Sequence, residues 1–371
     1  MIESVRLHRF RNYEDQKISF PKATILLYGQ NGQGKTNLLE SLYLGGIGKS
    51  YRGIADSDLI SWDQDKASVI IDFNRNDTTQ QIKVILSKLE KKELWVNETK
   101  VSQKELIGTL NEVLFSPDDL QLIKGSPSLR RRFIDMEISQ VSRSYYRDLL
   151  QYNRAISQRN LLLKKMKYSG SQSLDEWDRQ IAGFAASIVA KRLEALQKLS
   201  FLAGVLHKRL SRGKEMLHLT YVQPYGKGDG SHQIDPKWYY DLLQQHLPED
   251  IRRQSTSVGP HRDDLLFSVG QGDLKKYGSQ GQQRTAVLAL KLSELEFIKS
   301  ETGEYPVLLL DDVMSELDQS RRQALLDFVR NRIQTFITTT EPDISPVWRL
   351  SSICTRTREG GFVPMVESGK S

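Results

Sequence analysis

Alternating apolar and polar residues along the first hundred positions predict a series of β-strands. The pattern covers residues 2–10, 18–28, 68–73, 81–87 and 93–97. Much later in the chain, four consecutive apolar residues at 307–310 are typical of a strand buried on both faces of a parallel sheet. We therefore expect an α/β fold whose first part includes an antiparallel region.

From about residue 137 the apolar period changes to three or four residues, which predicts helices. A first helix is expected up to a stop near 167–170, with its apolar face formed by Ile138, Val141, Tyr145, Leu149, Tyr152, Ile156 and Leu163. Ser173–Glu176 is typical of a capping box, and the helix that follows continues towards Gly213. At 1.5 Å per residue this second helix is on the order of 55 Å long. The two helices predict an antiparallel hairpin, and a compact helical bundle is the alternative.

Two segments show little periodicity. Residues 214–250 contain several turn-forming residues, Gly226, Gly228, Gly230, Pro224 and Pro236, so we predict loop and turn there. The residues from Glu341 onwards are polar and weakly periodic, and we predict a partly disordered tail. No internal repeat is evident.

Composition limits the class of protein. The 371 residues are 38% hydrophobic and 27% charged, which is enough apolar residues for an ordinary core. No apolar run approaches the ~20 residues of a membrane span, and Glu3, Arg6 and Arg9 interrupt any signal-like start, so we expect a cytoplasmic protein without a membrane partner. The single cysteine, Cys354, excludes a disulfide scaffold. A net charge of +7 favours an anionic partner.

A glycine-rich segment between an apolar strand and a helix carries the strongest chemical signal. It is Gly29-Gln30-Asn31-Gly32-Gln33-Gly34-Lys35-Thr36, which matches the phosphate-binding pattern G-x-x-x-x-G-K-[ST]. Its backbone amides would surround the phosphates of ATP, Lys35 would reach the β- and γ-phosphates, and Thr36 would bind Mg²⁺. A chance glycine-rich turn is the alternative.

Two acidic residues follow the buried strand at 307–310. We predict that Asp311 holds Mg²⁺ through water and that Asp312 accepts the proton of the attacking water. A strand that merely ends in a solvated acidic turn is the alternative. Because Lys35 and Asp311 are so far apart in the chain, an insertion must separate the two halves of one nucleotide fold.

The residues around these acids resemble the motifs of ABC-type ATPases. Ser279-Gln280-Gly281-Gln282 opens a predicted helix as the signature motif does, and Met314–Asp318 is similar to the D-loop. In that class the signature serine and the helix N-terminus bind the γ-phosphate held by a second subunit. The resemblance therefore implies that Ser279 and Gly281 contribute to the nucleotide site of a partner copy.

Three further segments resemble the RecF family, relatives of the SMC and Rad50 ATPases. They are Leu7–Tyr13, Phe115–Leu120 with Arg130–Asp135, and Ser257–Leu265. The resemblance covers about residues 1–341 and implies an ABC-type P-loop ATPase head (SMC/Rad50-like) with an inserted helical domain.

This resemblance divides the chain into four predicted parts. Residues 1–136 are the N-terminal part of the head with the phosphate-binding loop, and residues 137–250 are the helical insertion. Residues 251–345 return to the head with the signature, the acidic strand and the D-loop, and residues 346–371 are the tail.

The family resemblance also implies a function. We expect an ATP-dependent homodimer that clamps double-stranded or gapped DNA and releases it by slow, DNA-stimulated hydrolysis, helping RecA loading with RecO and RecR in recombinational repair. Alternatives are a nuclease-associated or structural DNA-tethering ATPase, an ABC transport subunit and a small-molecule kinase. Each lacks a matching segment: no acidic metal-binding domain fits after residue 341, the gap before the signature is too long for a transport subunit, and a kinase acceptor pocket is not evident.

Several residues depart from the wider ABC pattern. Asp312 stands where a glutamate is usual, Thr340 stands nearest to the switch histidine, and Pro117 occupies the position of the Q-loop glutamine, for which Asp118 or Gln121 could substitute. All three departures predict slow hydrolysis.

Two residues outside these motifs, Arg11 and His261, also carry expectations. Resemblance places Arg11 near the nucleotide, where it contacts phosphate or base, and a salt bridge is the alternative. His261 is expected to shape a turn rather than to bind metal.

Clusters of basic residues predict binding to the DNA backbone without base readout. The clusters are Lys91-Lys92, Arg130–Arg132, Lys164-Lys165 with Lys167, Lys208-Arg209 with Arg212, and Arg252-Arg253. For each cluster a merely solvated surface is the alternative.

Overall fold

The computed structural model describes residues 1–20, 23–169, 174–225, 235–340, 352–358 and 361–364, with 167–169 and the last two ranges as backbone only. The chain forms two compact units, one made of residues 1–119 and 294–371 and the other of residues 120–293. The second unit is larger than the insertion predicted at 137–250, because it also includes residues 120–136 and residues 251–293.

Residues 1–119 supply most of the strands of the first unit. Its elements are β1 (Ile2–Phe10), β2 (Tyr13–Ser19), β3 (Thr24–Tyr28), α1 (Lys35–Ile47), β4 (Lys66–Arg75), β5 (Thr78–Ser87), β6 (Glu93–Val96), β7 (Thr99–Val101), α2 (Gln103–Leu106) and β8 (Glu112–Phe115). The antiparallel sheet has the order β2-β1-β4-β5-β6-β7, which confirms the antiparallel region predicted for this part of the chain.

The second unit begins after residue 119 and is mainly helical. Its elements are α3 (Gln121–Lys124), α4 (Pro127–Val141), α5 (Arg143–Ser169), α6 (Asp175–Leu210), β9 (Leu217–Val222), α7 (Pro236–Arg253), β10 (Asp264–Val269), β11 (Gly272–Asp273), α8 (Leu274–Tyr277) and α9 (Gln280–Thr302), whose last residues belong to the first unit. At 36 residues, α6 is about 54 Å long.

The long helices α5 and α6 pack along each other as the predicted hairpin. They also contact α7, and α6 covers β9 of the three-stranded sheet β11-β10-β9. The hairpin is therefore part of a packed helical layer, and both predicted arrangements contribute to the result. The capping box predicted at Ser173 lies outside the described residues.

The rest of the chain completes a parallel sheet in the first unit. Its elements are β12 (Val307–Leu310), α10 (Gln319–Val329), β13 (Thr335–Thr339), β14 (Ser352–Arg358) and β15 (Gly361–Pro364). The order is β15-β14-β3-β13-β12-β8, and only β15 is antiparallel to its neighbour. Because parallel strands end at the same edge, the loop after β3 and the acids after β12 lie close together.

Both sheets of the first unit share one hydrophobic core. Leu38, Leu39 and Leu42 of α1 are buried together with side chains of β1, β4, β5 and β12. The antiparallel strands thus support the helix that starts at the phosphate-binding loop.

Two secondary-structure predictions were wrong. The strand predicted at 18–28 is two strands in different sheets, and Pro21, which cannot donate to a β-ladder, stands between them. The loop predicted at 214–250 contains β9 and α7, because Pro236 occupies the first turn of α7 and Asp235 caps it by accepting from the Lys237 amide at 2.9 Å. The described part of the tail forms β14 and β15, and partial disorder of the tail stays a prediction.

Candidate nucleotide-binding site

The loop between β3 and α1 has a conformation that requires glycine. Gly32 has φ 80° and Gly34 has φ 95°, both in the left-handed region. A Cβ on Gly34 would lie 2.6 Å from the Asn12 amide nitrogen and 3.0 Å from the Tyr13 hydroxyl. The Tyr13 hydroxyl donates to the Gly34 carbonyl at 2.9 Å, and this hydrogen bond helps to fix the backbone of the loop.

Lys35 is only 7% exposed and spans the loop from inside. Its Nζ donates to the carbonyls of Gly29 and Gln30, both at 2.7 Å. Desolvation lowers the pKa of Lys35, and the charges of Asp312 and Asp311 oppose that shift. The ammonium group is thus held where the predicted phosphates would lie.

The carboxylate of Asp311, at the end of β12, accepts hydrogen bonds from three hydroxyl groups. Thr36 Oγ1 donates to Asp311 Oδ1 at 2.8 Å, and Thr338 Oγ1 is 3.1 Å from the same oxygen. The Tyr51 hydroxyl donates to Asp311 Oδ2 at 2.6 Å. The structure therefore brings Thr36 and Asp311 together across the chain, and their role as magnesium ligands stays a prediction.

The Thr36–Asp311 pair suits Mg²⁺ bound together with phosphates. Within the described ranges, no group of three or more His, Cys, Asp or Glu side chains could hold a metal ion. Mg²⁺ is usually bound by one or two protein oxygens and by substrate phosphates rather than by an all-protein cage. The donor set of one hydroxyl and one carboxylate fits that pattern.

Asp312 is exposed and its φ of 54° is left-handed, a conformation that Asp and Asn adopt more readily than most residues. Its backbone N–H donates to Thr338 Oγ1 at 2.8 Å. Thr338 therefore contacts both acids and fixes the turn that presents them. Thr338 was not predicted because no motif distinguishes it from Thr339 and Thr340 in the same run of threonines.

A cleft of about 250 Å³ lies over the loop. Residues 31–37 line it together with four others, Arg52, Asp312, Thr338 and Thr340. Lys35 and Arg52 supply cations to this polar cleft, a combination that suits a polyphosphate. Tyr51 and Arg52, which follow α1 after a short connection, were not predicted because no motif marks them.

Arg11 forms the salt bridge that was the alternative to nucleotide contact. Its guanidinium donates to the buried carboxylate of Glu40 at 3.0 and 3.3 Å and to the Asp58 carbonyl at 3.0 Å. Ser50 Oγ also donates to Glu40, at 2.5 Å, and accepts from the Arg52 amide at 3.1 Å. Arg11 thus supports the segment that carries Arg52, and direct contact with nucleotide stays a prediction.

The predicted signature lies at the exposed N-terminus of α9, in the second unit. The Ser279 N–H donates to Gln282 Oε1 at 2.9 Å, and the Gln282 N–H donates to Ser279 Oγ at 3.2 Å. This reciprocal pair is a capping box. Gly281 is exposed beside it, so the serine and the first amides of α9 are accessible to a partner.

Several residues of the predicted basic clusters are engaged within the protein. Arg130 is 3% exposed and pairs with Asp264 at 2.7 Å, and Arg131 donates to the Asp263 carbonyl at 2.6 Å. Lys92 pairs with Asp56 at 2.9 Å. The DNA-binding prediction was therefore wrong for Arg130, which is neither a solvated residue nor accessible to phosphate.

The contacts of Arg130 and Arg131 also show where two of the segments that resemble the RecF family lie in the structure. Residues 130–135 and 257–265 are distant in sequence but pack together in the second unit. Arg192 of α6 joins them, since it donates to Asp135 at 3.0 Å and to the Pro260 carbonyl at 2.7 Å. These segments form a buried polar core.

His261 has a structural role in that core, as expected. Its Nδ1 is 2.6 Å from the Tyr152 hydroxyl and its Nε2 is 3.1 Å from the Thr256 carbonyl. Burial lowers the pKa of His261 to about 4. The ring is therefore neutral, donates from Nε2 to the carbonyl and accepts at Nδ1.

The neutral His261 predicts a loss of stability in mild acid. Its pKa falls from 6.5 in the unfolded chain to about 4 in the folded protein. The contribution of His261 to the free energy of unfolding is fully present above pH 6.5. It is lost as the pH falls towards 4, and the total loss is about 3 kcal/mol. Denaturant unfolding at pH 7.5, 6 and 5 measures this slope. A His261→Asn variant should show a shallower slope, and an identical slope in both proteins would contradict the assignment.

The sequence matches the profile of the RecF/RecN/SMC N terminal domain over residues 1–354. It is 43% identical over 340 residues to the DNA replication and repair protein RecF of Clostridium perfringens, which covers 91% of this chain and 92% of that relative. It is 44% identical over 352 residues to the DNA replication and repair protein RecF of Halothermothrix orenii, which covers 92% of both chains.

Solved structures agree with this similarity. The structure of the recombination mediator protein RecF-ATP in the RecFOR pathway matches with a TM-score of 0.90 and 36% identity, covering 98% of this chain and 97% of that chain. An SMC head bound to the C-terminal winged-helix domain of ScpA matches in fold, with a TM-score of 0.58, 19% identity and coverage of 99% and 98%. The predicted α/β ABC-type ATPase head is confirmed. Among the described helices, none is long and apolar enough to cross a membrane.

Proposed function

Because the chain belongs to the RecF family of DNA replication and repair proteins, we propose that it is an ATP-gated DNA-binding protein of recombinational repair and replication-gap recovery. Two copies close around two ATP molecules and clamp DNA. Slow, DNA-stimulated hydrolysis reopens the dimer in the bacterial cytoplasm. A solved relative is described as a recombination mediator protein in the RecFOR pathway, which supports RecO and RecR as partners. RecA loading is the outcome that the family resemblance implies.

One observation carries the ATPase proposal: Lys35, Thr36, Asp311 and Asp312 meet at one edge of the parallel sheet beside a polar cleft. The loop amides and Lys35 bind the phosphates, and Arg52 adds a second cation. Thr36 and Asp311 would hold Mg²⁺, which would supply positive charge to the phosphates. Asp312 takes the proton of the attacking water.

Ser279 and the amides around Gly281 complete the site of the partner copy. Since the N-terminus of α9 is exposed, it can approach a γ-phosphate held by another molecule, with the helix dipole favouring the anion. Asp312 in place of glutamate and Thr340 in place of histidine support slow hydrolysis. Such a rate suits a switch better than a motor.

DNA binding rests on charge and on the family. The chain carries a net charge of +7, and Lys208, Arg209 and Arg212 at the end of α6 are exposed. These residues would contact phosphates without reading bases. If closure changes the DNA-binding surface, ATP and DNA each strengthen the binding of the other.

Molecular mass in solution tests the proposal directly. The mass should double with ATP and Mg²⁺, and a short gapped duplex should lower the ATP concentration at which it doubles. Monomers under all conditions would refute the nucleotide-gated clamp. Metal-dependent cleavage of the duplex would instead favour the nuclease-associated alternative, and a dimer that never releases DNA after hydrolysis would favour a tethering role.

Removing the Tyr51 hydroxyl should weaken the binding of Mg²⁺ but not the binding of nucleotide in the absence of Mg²⁺. Tyr51→Phe removes the donor to Asp311 but keeps the ring, which packs edge-on against Tyr43 with 5.6 Å between centroids. We expect the Mg²⁺ concentration that half-saturates nucleotide binding to rise about tenfold, the effect of one hydrogen bond to a charged group. Titration with a fluorescent ATP analogue measures this value.

The Tyr51 experiment has two internal comparisons. Binding of the analogue in EDTA should be unchanged in Tyr51→Phe. Tyr305→Phe removes a hydroxyl that donates to Glu296 at 2.9 Å, outside the cleft, and should behave like the parent protein in both titrations. An unchanged Mg²⁺ dependence in Tyr51→Phe would show that its hydroxyl does not orient Asp311.

A further inference from the structure

A side-chain hydrogen bond joins the signature motif to the turn that follows α6. Gln282 Nε2 donates to Glu215 Oε1 at 2.7 Å. Gln282 lies in the first turn of α9, whereas Glu215 lies between α6 and β9, so the bond connects two parts of the second unit that are distant in sequence. Neither the motifs nor the proposed function accounts for Glu215.

The bond to Glu215 determines which way the Gln282 amide points. Oε1 of Gln282 accepts from the Ser279 N–H at 2.9 Å while Nε2 donates to Glu215. Rotating the amide by half a turn would place its oxygen against a carboxylate and its NH₂ against the Ser279 N–H. Both contacts would then be repulsive, so Glu215 selects the orientation that caps Ser279.

Glu215 is itself held by the end of α6. Its carbonyl accepts from Ser211 Oγ at 3.0 Å and lies 3.2 Å from Nδ1 of the buried His207, and its N–H donates to Ser211 Oγ at 3.1 Å. Burial lowers the pKa of His207, which keeps the ring neutral, and its Nδ1–H donates to the Glu215 carbonyl. The turn is thus fixed to the longest helix of the protein.

The same network decides what Ser279 presents outwards. Its hydroxyl oxygen accepts from the Gln282 N–H at 3.2 Å, which leaves the hydroxyl proton for donation from the exposed end of α9. A γ-phosphate needs such a donor. If the Gln282 side chain turned away, the Ser279 N–H would lose its cap and the first turn of α9 would fray.

We propose that Glu215 is a positioning residue for the signature serine: by holding Gln282, it connects the end of α6 to the nucleotide contact made by Ser279. This inference rests on the proposed function, in which Ser279 binds the nucleotide of a second copy. It adds that the end of α6, through one carboxylate in the turn that follows it, controls whether Ser279 is ready for that contact.

Glu215→Ala tests the link, with Glu215→Gln as the conservative variant because it retains an oxygen acceptor for Gln282. Glu194→Ala is the matched control, since Glu194 pairs with Lys198 at 3.0 Å on the exposed face of α6, the helix that precedes Glu215. Amide hydrogen exchange of the first turn of α9, measured without nucleotide, should be about tenfold faster in Glu215→Ala. Glu215→Gln and Glu194→Ala should exchange as the parent does.

The second readout is the ATP-dependent dimer. Glu215→Ala should need about tenfold more protein for half-dimerisation, whereas binding of an ATP analogue to the monomer should be unchanged. Unchanged exchange at α9, or altered exchange with unchanged dimerisation, would overturn the inference. A parent protein that never dimerises would refute the proposed function, and the exchange experiment would still decide whether Glu215 positions Ser279.

Discussion

Replacing Lys35 with alanine should abolish ATP-dependent dimerisation. The ammonium group is nearly buried and bridges two carbonyls of the loop, so its loss removes both the phosphate contact and a brace of the loop itself. Desolvation already disfavours this charge, and phosphates would compensate for it. We expect ATP affinity to fall on the order of a hundredfold or more, which corresponds to losing about two charge-assisted hydrogen bonds.

Lys49→Ala is the control for that experiment because Lys49 is exposed just beyond the end of α1. It removes the same side chain close in sequence without touching the cleft. Equilibrium binding of a fluorescent ATP analogue and mass in solution should leave the control unchanged. A Lys35→Ala protein that still forms a normal ATP-dependent dimer would refute the role of this loop.

Local motifs predicted the candidate site well where the chemistry is continuous in sequence. The segment from Gly29 to Thr36 contains the whole phosphate-binding pattern in consecutive residues, so the sequence alone identifies it. The partner Asp311 was predictable because an acid after an apolar strand belongs at the same edge of a parallel sheet. The strand order places β13 between β3 and β12, which brings Thr36 and Asp311 within 2.8 Å.

Residues that act only through position were not predictable. Tyr51, Arg52 and Thr338 carry no motif, and each reaches the site because a loop or a neighbouring strand ends there. A single sequence gives no reason to prefer Thr338 to the threonines beside it.

Buried charged residues were the second feature that the sequence did not predict. Arg159 occupies the apolar face of α5, three residues after Ile156, yet it is fully buried and pairs with Asp178 and Asp250 at 2.6 Å each. Helical periodicity predicts an apolar residue at such a position. Arg159 can be buried there because α6 and α7 each supply an aspartate that pairs with its charge.

Proline was also misleading in the fold prediction. Pro224 follows the end of β9 and Pro236 lies in the first turn of α7, so both mark the ends of elements rather than an irregular segment. The same residue type at Pro21 should have divided the strand predicted at 18–28. In both places the position of proline relative to an element mattered more than its presence.

Asp312→Asn should trap the closed dimer with DNA bound. Asparagine has the same shape and tolerates the left-handed backbone at this position, so the N–H bond to Thr338 should persist. The change removes the group that accepts a proton from water, and we expect turnover to fall by roughly 10²–10⁴-fold. Removing a negative charge from a phosphate cleft should leave ATP binding intact or strengthen it.

Asp63→Asn is the matched control for this experiment. Asp63 is exposed and has a φ of 60°, so the same substitution is made in the same backbone conformation away from the cleft. Single-turnover hydrolysis and the lifetime of the dimer on a gapped duplex should change only in Asp312→Asn. Unchanged turnover would exclude Asp312 as the base, whereas lost turnover together with lost ATP binding would mean that Asp312 supports the loop instead. Because the variant separates closure from hydrolysis, a long-lived dimer that still holds DNA would also indicate that hydrolysis, rather than ATP binding, causes release.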